Sequence, residues 1–141
     1  MNIQPYLFFE GCCEEALEYY RGAIGAEIMM MMRYKDSAEP PPPEMLPPGS
    51  ENKIMHANVR IGDSVVMASD GLCSGKPGFA SFSLSLNVAT EAEADRYFAA
   101  LADGGQIQMP LDKTFWSPRF GMLVDRFGLG WMISTATQQQ A

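Results

Sequence analysis

Apolar and polar residues alternate along several short segments of the chain, as they do in strands with one buried face. The clearest alternation covers residues 53–62, where His56, Asn58 and Arg60 fall on the polar side. In two other segments apolar residues recur every three or four positions, which is typical of a helix packed on one side. In chain order the pattern predicts strands over 3–10, 26–34, 53–62, 64–70, 81–88, 106–110, 120–125 and 129–134, and helices over 12–23 and 91–103.

Local signals mark where both predicted helices begin and end. Glu14 and Glu15 occupy the first turn of the first helix, and Gly25 ends it. Thr90 and Glu93 have the spacing of a capping box at the start of the second helix, and two glycines follow its end. Each helix therefore carries its own start and stop signal.

A proline-rich segment, residues 36–52, separates the second and third predicted strands and carries six of the ten prolines. Proline fixes φ and lacks a backbone donor, so we expect an extended or mobile surface loop here. A proline ligand for a partner domain is the alternative, and the plain surface loop is favoured.

The two halves of the chain resemble each other through three matches in the same order. The matching pairs are 15–20 with 93–98, 25–28 with 104–107, and 65–69 with 130–134. Each half reads as strand, helix and three strands, and a repeat of about 70 residues indicates two-fold pseudosymmetry. We therefore expect a single α+β domain over 1–141, built from two βαβββ modules at about 1–72 and about 79–135.

Composition narrows the possible partners. Ten Lys and Arg against seventeen Asp and Glu give a net charge of −7, so no nucleic-acid partner is expected. No apolar run reaches the ~20 residues that span a bilayer, and the first residues lack the basic region of a secretory signal. We therefore expect no membrane partner and a cytoplasmic protein. Cys12, Cys13 and Cys73 are odd in number and form no CxxC pair, which indicates reduced thiols.

Three stretches carry a resemblance to a known family: residues 5–20, 55–70 and, most specifically, 109–133. With the paired modules, the chain resembles the PhnB-like branch of the vicinal oxygen chelate superfamily, which includes glyoxalase I, extradiol dioxygenases and the bleomycin and fosfomycin resistance proteins. The resemblance implies an eight-stranded, U-shaped mixed sheet around a cleft, with helices on the convex face. It also implies a homodimer.

Superfamily enzymes commonly hold a divalent metal through His, Gln or Glu side chains on the outer strands of both modules. The resemblance places Pro5, Met67, Ser83 and Met132 at these four positions. Proline has no side-chain donor, thioethers suit soft copper, and a serine hydroxyl is a poor neutral ligand. We therefore expect no metal cofactor, and metal-dependent isomerisation and extradiol oxygenation are disfavoured.

Seven side chains are expected to bind a ligand in the implied cleft: His56, Asn58, Arg60, Ser83, Ser85, Trp116 and Phe120. His56 is the candidate catalytic acid or base, and a hydrogen-bonded structural histidine is the favoured alternative. The serine face at Ser83 and Ser85 either lines the cleft or faces water. Trp116 either walls a pocket or packs at a dimer interface.

Other residues allow simpler interpretations. Met29–Met32 can line an adaptable pocket, although core packing explains at least alternate positions. Asp70 and Asp125 each precede a turn that the carboxylate is expected to cap. Glu14 and Glu15 oppose activation of Cys12 and Cys13 by the helix dipole, so inert thiols are favoured.

The leading functional expectation is a protein that binds an unknown small organic molecule without a catalytic metal and pairs with itself. The first alternative is a metal-independent enzyme that uses His56 as acid or base. The second is an antibiotic-sequestering protein, in which the net charge of −7 would favour cationic drugs. Methyl transfer has no support, because the chain has no glycine-rich nucleotide loop for a methyl-donor cofactor.

Overall fold

Eight strands and two helices follow one another in the order that the hydrophobic pattern predicts, in a computed structural model that describes residues 1–39 and 41–135. The elements are β1 (Tyr6–Phe8), α1 (Cys13–Ile24), β2 (Glu27–Arg33), β3 (Ile54–Ile61), β4 (Ser64–Ser69), β5 (Leu84–Val88), α2 (Glu91–Ala102), β6 (Gln106–Asp112), β7 (Phe120–Val124) and β8 (Gly130–Thr135). They divide into two compact units, of which the first is Met1–Gly78 and the second begins at Phe79.

Each unit contains one four-stranded mixed sheet with the same topology. The strand order is β1-β4-β3-β2 in unit 1 and β5-β8-β7-β6 in unit 2. The first strand of each unit runs parallel to the last, and the other pairs are antiparallel. The predicted α+β class and the two βαβββ modules are confirmed.

In unit 1, helix α1 covers one face of the sheet and buries one stripe of side chains. The buried helix residues are Cys13, Ala16, Leu17, Tyr20 and Ile24. The strands contribute the buried side chains of Leu7, Ala57, Val59, Val66 and Ala68. Because successive strand residues point to opposite faces, the residues between these lie on the other side of the sheet, which we call the helix-free face of unit 1.

Helix α2 covers the sheet of unit 2 in the same way, with Phe98 and Leu101 buried over Leu123 and Ile133. Gly121 on β7 permits this close packing, because a Cβ atom there would lie 2.7 Å from Cε2 of Phe98. The face of this sheet away from α2 is the helix-free face of unit 2.

The N-terminus of α1 is capped by a residue distant in sequence. The buried carboxylate of Asp70 accepts hydrogen bonds from the backbone N–H groups of Gly11 and Cys13, both at 2.8 Å, and of Ile54 at 2.7 Å. The prediction that Asp70 caps its own turn is therefore wrong; there, Ser69 Oγ accepts from Gly71 N. A carboxylate contributes more to stability when it accepts from three backbone donors in a largely buried position than when it caps an exposed turn.

The two other predicted caps are confirmed. Thr90 Oγ1 accepts from the backbone N–H of Glu93 at 3.1 Å, at the start of α2. Asp125 Oδ1 accepts from the N–H groups of Phe127 and Leu129 in the β7–β8 turn. Its second oxygen accepts from Trp131 Nε1 at 2.9 Å, a contact that the pattern did not indicate.

Strand β1 covers only Tyr6–Phe8 of the predicted strand 3–10, and two further segments differ from the prediction. Strand β5 begins at Leu84 instead of at residue 81, because Ser81 has a φ of +68° and lies in a turn. The segment 36–52 is not simply extended: short 3-10 turns form at Tyr34–Asp36, Pro43–Met45 and Ser50–Asn52. The backbone N–H of Tyr34 donates to Lys53 O at 3.0 Å, which brings the two ends of the segment together.

Neither of the two helices in the described part of the chain is long and apolar enough to cross a membrane.

Candidate functional site

The helix-free face of unit 1 brings together polar, aromatic and thioether side chains from all four strands. In the strand register Met30 and Met67 flank Asn58, and Met32 lies opposite His56. On β1, Tyr6 lies level with Met67. Met31 is level with Ala57 on the helix side, so Met30 and Met32 lie on the helix-free face and Met31 does not.

A directional chain of hydrogen bonds crosses this face. The Tyr6 hydroxyl lies 2.8 Å from His56 Nδ1, and His56 Nε2 lies 3.1 Å from Asn58 Oδ1. An amide oxygen only accepts, so Nε2 of His56 carries the proton and donates to Asn58. Nδ1 of the neutral ring is then the acceptor of the Tyr6 O–H. His56 is thus hydrogen-bonded at both nitrogens, as a structural histidine would be, yet its partners lie on a partly exposed face.

The direction of these two hydrogen bonds determines which polar groups remain available to a ligand. The Tyr6 oxygen donates its proton to His56 and keeps a lone pair that accepts. The Asn58 amide nitrogen retains donors that no residue in the described ranges engages. Burial raises the pKa of the Tyr6 phenol, so this side chain stays neutral at physiological pH.

Aromatic surface adjoins the polar chain. The rings of Tyr6 and Phe8 stack with centroids 4.7 Å apart and planes 9° from parallel. Tyr6 is 38% and Phe8 46% exposed, so both present apolar surface. Neither residue is among the site residues predicted from the sequence, although their spacing of two on an aromatic strand signals a shared face.

The positive charge of Arg60 is paired with a carboxylate on this face. It pairs with Glu27, the residue opposite on β2, through Nη2 and Oε2. Both side chains are half-exposed or more, so the ion pair is a surface feature.

The remaining predicted ligand-binding residues lie in unit 2. Ser85 lies level with Met132 and is exposed on the helix-free face of that unit. Trp116 stands edge-on to Phe120 at 5.3 Å between centroids, and 46% of Trp116 is exposed. Ser83 precedes β5, next to Gly130, where a Cβ atom would lie 2.8 Å from the Ser83 hydroxyl. His56, Asn58 and Arg60 thus form one group in unit 1, and the other four residues belong to unit 2.

The register also revises the equivalence between the four positions that the resemblance assigns to metal ligands. Tyr6 lies level with Met67, and Ser85 lies level with Met132. If the two methionines correspond, Tyr6 corresponds to Ser85, so Pro5 and Ser83, which the resemblance assigns to metal ligands, are not equivalent positions of the two modules.

The residues at these positions do not fit a divalent cation. The Pro5 carbonyl already accepts from Met67 N at 2.9 Å. The neutral Tyr6 phenol is held by His56, and the remaining donors at the assigned positions are the thioethers of Met67 and Met132 and a serine hydroxyl. Hard and borderline cations prefer carboxylate or imidazole ligands, and within residues 1–39 and 41–135 no three His, Cys, Asp or Glu side chains cluster.

Two pockets in unit 1 lie away from this face. One, of about 490 Å³, lies at the start of α1, where Arg33 makes two hydrogen bonds to Glu14 and Lys53 Nζ donates to Gly11 O. Both cationic side chains of this pocket, Arg33 and Lys53, are therefore engaged with partners in the protein. The other, of about 400 Å³, lies within the proline-rich segment, between Tyr34 and Pro48.

The three cysteines are free thiols and are poorly activated. Burial, reinforced by the charge of Asp70, raises the pKa of both Cys12 and Cys13. Burial likewise raises the pKa of Cys73. The interpretation of these residues as inert thiols is supported.

Comparison with known proteins identifies the family. The family model described as 3-demethylubiquinone-9 3-methyltransferase matches residues 1–134. The chain belongs to this family. Protein YjdN from Escherichia coli (strain K12) is 40% identical over 146 residues, which cover 99% of this chain and 98% of YjdN.

Solved structures agree with this assignment. Protein PA1353 from Pseudomonas aeruginosa has a TM-score of 0.83 and 42% identity, over 96% of this chain and 98% of its own. A PhnB protein from Bacillus cereus, described as a putative 3-demethylubiquinone-9 3-methyltransferase, has a TM-score of 0.78 and 31% identity, over 96% of this chain and 100% of its own. The fosfomycin resistance protein FosX from Listeria monocytogenes, 11% identical with a TM-score of 0.67 over 99% of this chain and 95% of its own, shares the fold. The resemblance to the PhnB-like branch of the vicinal oxygen chelate superfamily is confirmed.

Proposed function

We propose that this protein binds a small organic molecule on the helix-free face of unit 1, without a divalent metal. The observation that carries the proposal is the Tyr6–His56–Asn58 chain beside the stacked rings of Tyr6 and Phe8. Small-molecule sites combine an apolar surface with a few fixed polar groups that orient the ligand, and this face has both.

The direction of the hydrogen bonds between Tyr6, His56 and Asn58 favours one class of ligand. The Tyr6 oxygen accepts and the Asn58 amide nitrogen donates, so a matching molecule carries a hydrogen-bond donor and an acceptor. The stacked rings and the thioethers of Met30 and Met67 favour a planar, apolar body. Arg60 is paired with Glu27, so an anionic ligand gains little from it.

Two aromatic probes test this ligand class. Calorimetry and NMR titration with 2-naphthol should detect binding, whereas 2-methoxynaphthalene, which lacks the donor, should bind more weakly. Tyr6→Phe removes the accepting oxygen and should weaken 2-naphthol binding about tenfold. Tyr97→Phe, on α2 in unit 2, is the matched control and should bind like the wild type. Equal affinity of Tyr6→Phe and wild type for 2-naphthol would contradict the proposal.

Binding without a divalent cation has its own test. Elemental analysis of the purified protein should find no stoichiometric Zn, Ni, Fe or Mn, because the donors at the expected ligand positions do not suit these ions. A stoichiometric amount of any of the four would overturn this part of the proposal.

A metal-independent enzyme is the second candidate, favoured by an imidazole hydrogen-bonded to a phenol on a partly exposed face. If substrate conversion is found by mass spectrometry of incubated metabolite mixtures, His56→Gln should abolish it and leave substrate binding nearly intact. The family's description names a methyltransferase, so S-adenosylmethionine belongs in the same calorimetry series. We expect no binding, and a clear heat signal would favour methyl transfer instead.

The homodimer proposed for this chain follows its relationship to the superfamily, and the proposed location follows its free cysteines. We expect a homodimer in the cytoplasm, which light scattering and cell fractionation would test. A monomer at high protein concentration would exclude the dimer.

A further inference from the structure

We propose that Met109, Met122 and Met132, which lie side by side on adjacent strands of unit 2, form a binding site for Cu(I). This site, called here the methionine row, uses a different sheet and a different ligand chemistry from the proposed organic-molecule site, so the two stand or fall separately.

The strand register places the three methionines on one face. Met109 on β6 lies opposite Met122 on β7, and Met122 lies opposite Met132 on β8. Side chains of directly paired residues share a face, with Cβ atoms about 4.5–5.5 Å apart. Each methionine has three rotatable bonds, so the outer two thioethers can turn toward the central one.

The row is accessible and uncharged. Met109 is 43% exposed, and Met122 and Met132 are half-buried. Within the described strands of unit 2, the residues that share this face include no Lys or Arg. Arg119, just before β7, is engaged with Glu91 and Asp95 on α2. A monovalent cation therefore meets no positive charge from these strands.

The chemistry of the row favours a soft ion. Thioethers are soft donors that select Cu(I) over Zn(II), Mn(II) or Mg(II), and leucine would serve equally well if only an apolar surface were needed. The corresponding row of unit 1 is interrupted, because Asn58 lies between Met30 and Met67. Of these two rows, only the one in unit 2 has three adjacent thioethers.

A competition experiment tests the site directly. Cysteine thiolates also bind Cu(I), so the measurement uses the full chain with Cys12→Ser and Cys73→Ser, since Cys13 is completely buried. Titration with Cu(I) supplied as its acetonitrile complex, under reducing and oxygen-free conditions, should show one ion bound per chain, with bathocuproine disulfonate used only to measure the unbound ion after ultrafiltration. Both tryptophans, Trp116 and Trp131, lie in unit 2, so their emission should fall as the ion binds.

Substitution by leucine separates the thioethers from the apolar surface. Met122→Leu in the same background should lose the bound ion and the quenching, and Met109→Leu, on the edge strand β6, should weaken both. Met45→Leu, in an exposed turn of unit 1, is the control and should retain them. Circular dichroism establishes that each variant is folded. The proposal is overturned if the Cys12→Ser, Cys73→Ser protein binds no Cu(I), or if both row variants bind Cu(I) unchanged. It is also overturned if Met45→Leu loses as much bound Cu(I) as the row variants. In any of these cases, unchanged binding of Nile red by the row variants would identify an apolar surface only.

Discussion

The hydroxyl of Tyr6 lies 2.8 Å from Nδ1 of His56, although strand β4 separates the strands that carry them. Tyr6 therefore reaches across the helix-free face of unit 1 to the chain's single histidine. On the other side of the ring Asn58 Oδ1 can only accept, and this sets the direction of both hydrogen bonds that His56 makes.

The tautomer of His56 is the first testable consequence. Because Asn58 Oδ1 accepts from Nε2, the neutral ring should be protonated at Nε2 and not at Nδ1. Long-range ¹H–¹⁵N NMR reports this directly, and the spectrum has no overlap because the chain has one histidine. A ring protonated at Nδ1 above neutral pH would contradict the inferred direction of these hydrogen bonds.

Removing the Asp70 carboxylate should strongly destabilise unit 1. Asp70→Ala leaves three backbone N–H groups without their acceptor, so we expect a loss of about 2–4 kcal/mol in the free energy of unfolding. Urea denaturation measures it. Asp63→Ala, in the exposed β3–β4 turn, is the matched control and should change stability by less than about 0.5 kcal/mol. Equal effects of the two substitutions would show that Asp70 does not cap α1.

The cysteines should react slowly with a disulfide reagent. Only the thiolate is the nucleophile, and burial raises the pKa of all three thiols. At pH 8 we expect slow reaction of Cys12 and Cys73, and no reaction of Cys13 until denaturant is added.

Cys13 should also make stability depend on pH in the alkaline range. Its pKa is higher in the folded chain than in the unfolded chain. The contribution of the Cys13 thiol to the free energy of unfolding is therefore complete below about pH 8.5. It decreases as the pH rises further, because the thiol then ionises readily only in the unfolded chain. Cys13→Ala should flatten this decrease in urea unfolding measured between pH 8 and 10. An unchanged slope would contradict the assignment.

Two glycine substitutions should have opposite effects on stability. Gly121→Ala should cost about 1–3 kcal/mol, because the added Cβ would meet Phe98 at 2.7 Å. Gly22→Ala, on the exposed side of α1 with open space around it, should stabilise by about 0.5–1 kcal/mol. Thermal unfolding of the two variants measures the contrast, and destabilisation by both would contradict it.

Much of the fold follows from local patterns that carry their own physical cause. The alternation in β3 separates His56, Asn58 and Arg60 from the buried residues, and the structure keeps that separation. The capping pattern at Thr90 was sufficient to place the start of α2. These signals depend on neighbours within a few residues, so one sequence contains them.

The amino-acid sequence by itself determined the order of the elements, the two βαβββ modules and the polar face that holds His56. Tertiary structure alone decided that Asp70 caps α1, that Tyr6 reaches His56 across β4, and that three methionines align on adjacent strands. Each of these contacts joins residues whose separation along the chain gives no local signal. They depend on strand register, which the burial of one sheet face and the geometry of the turns determine together.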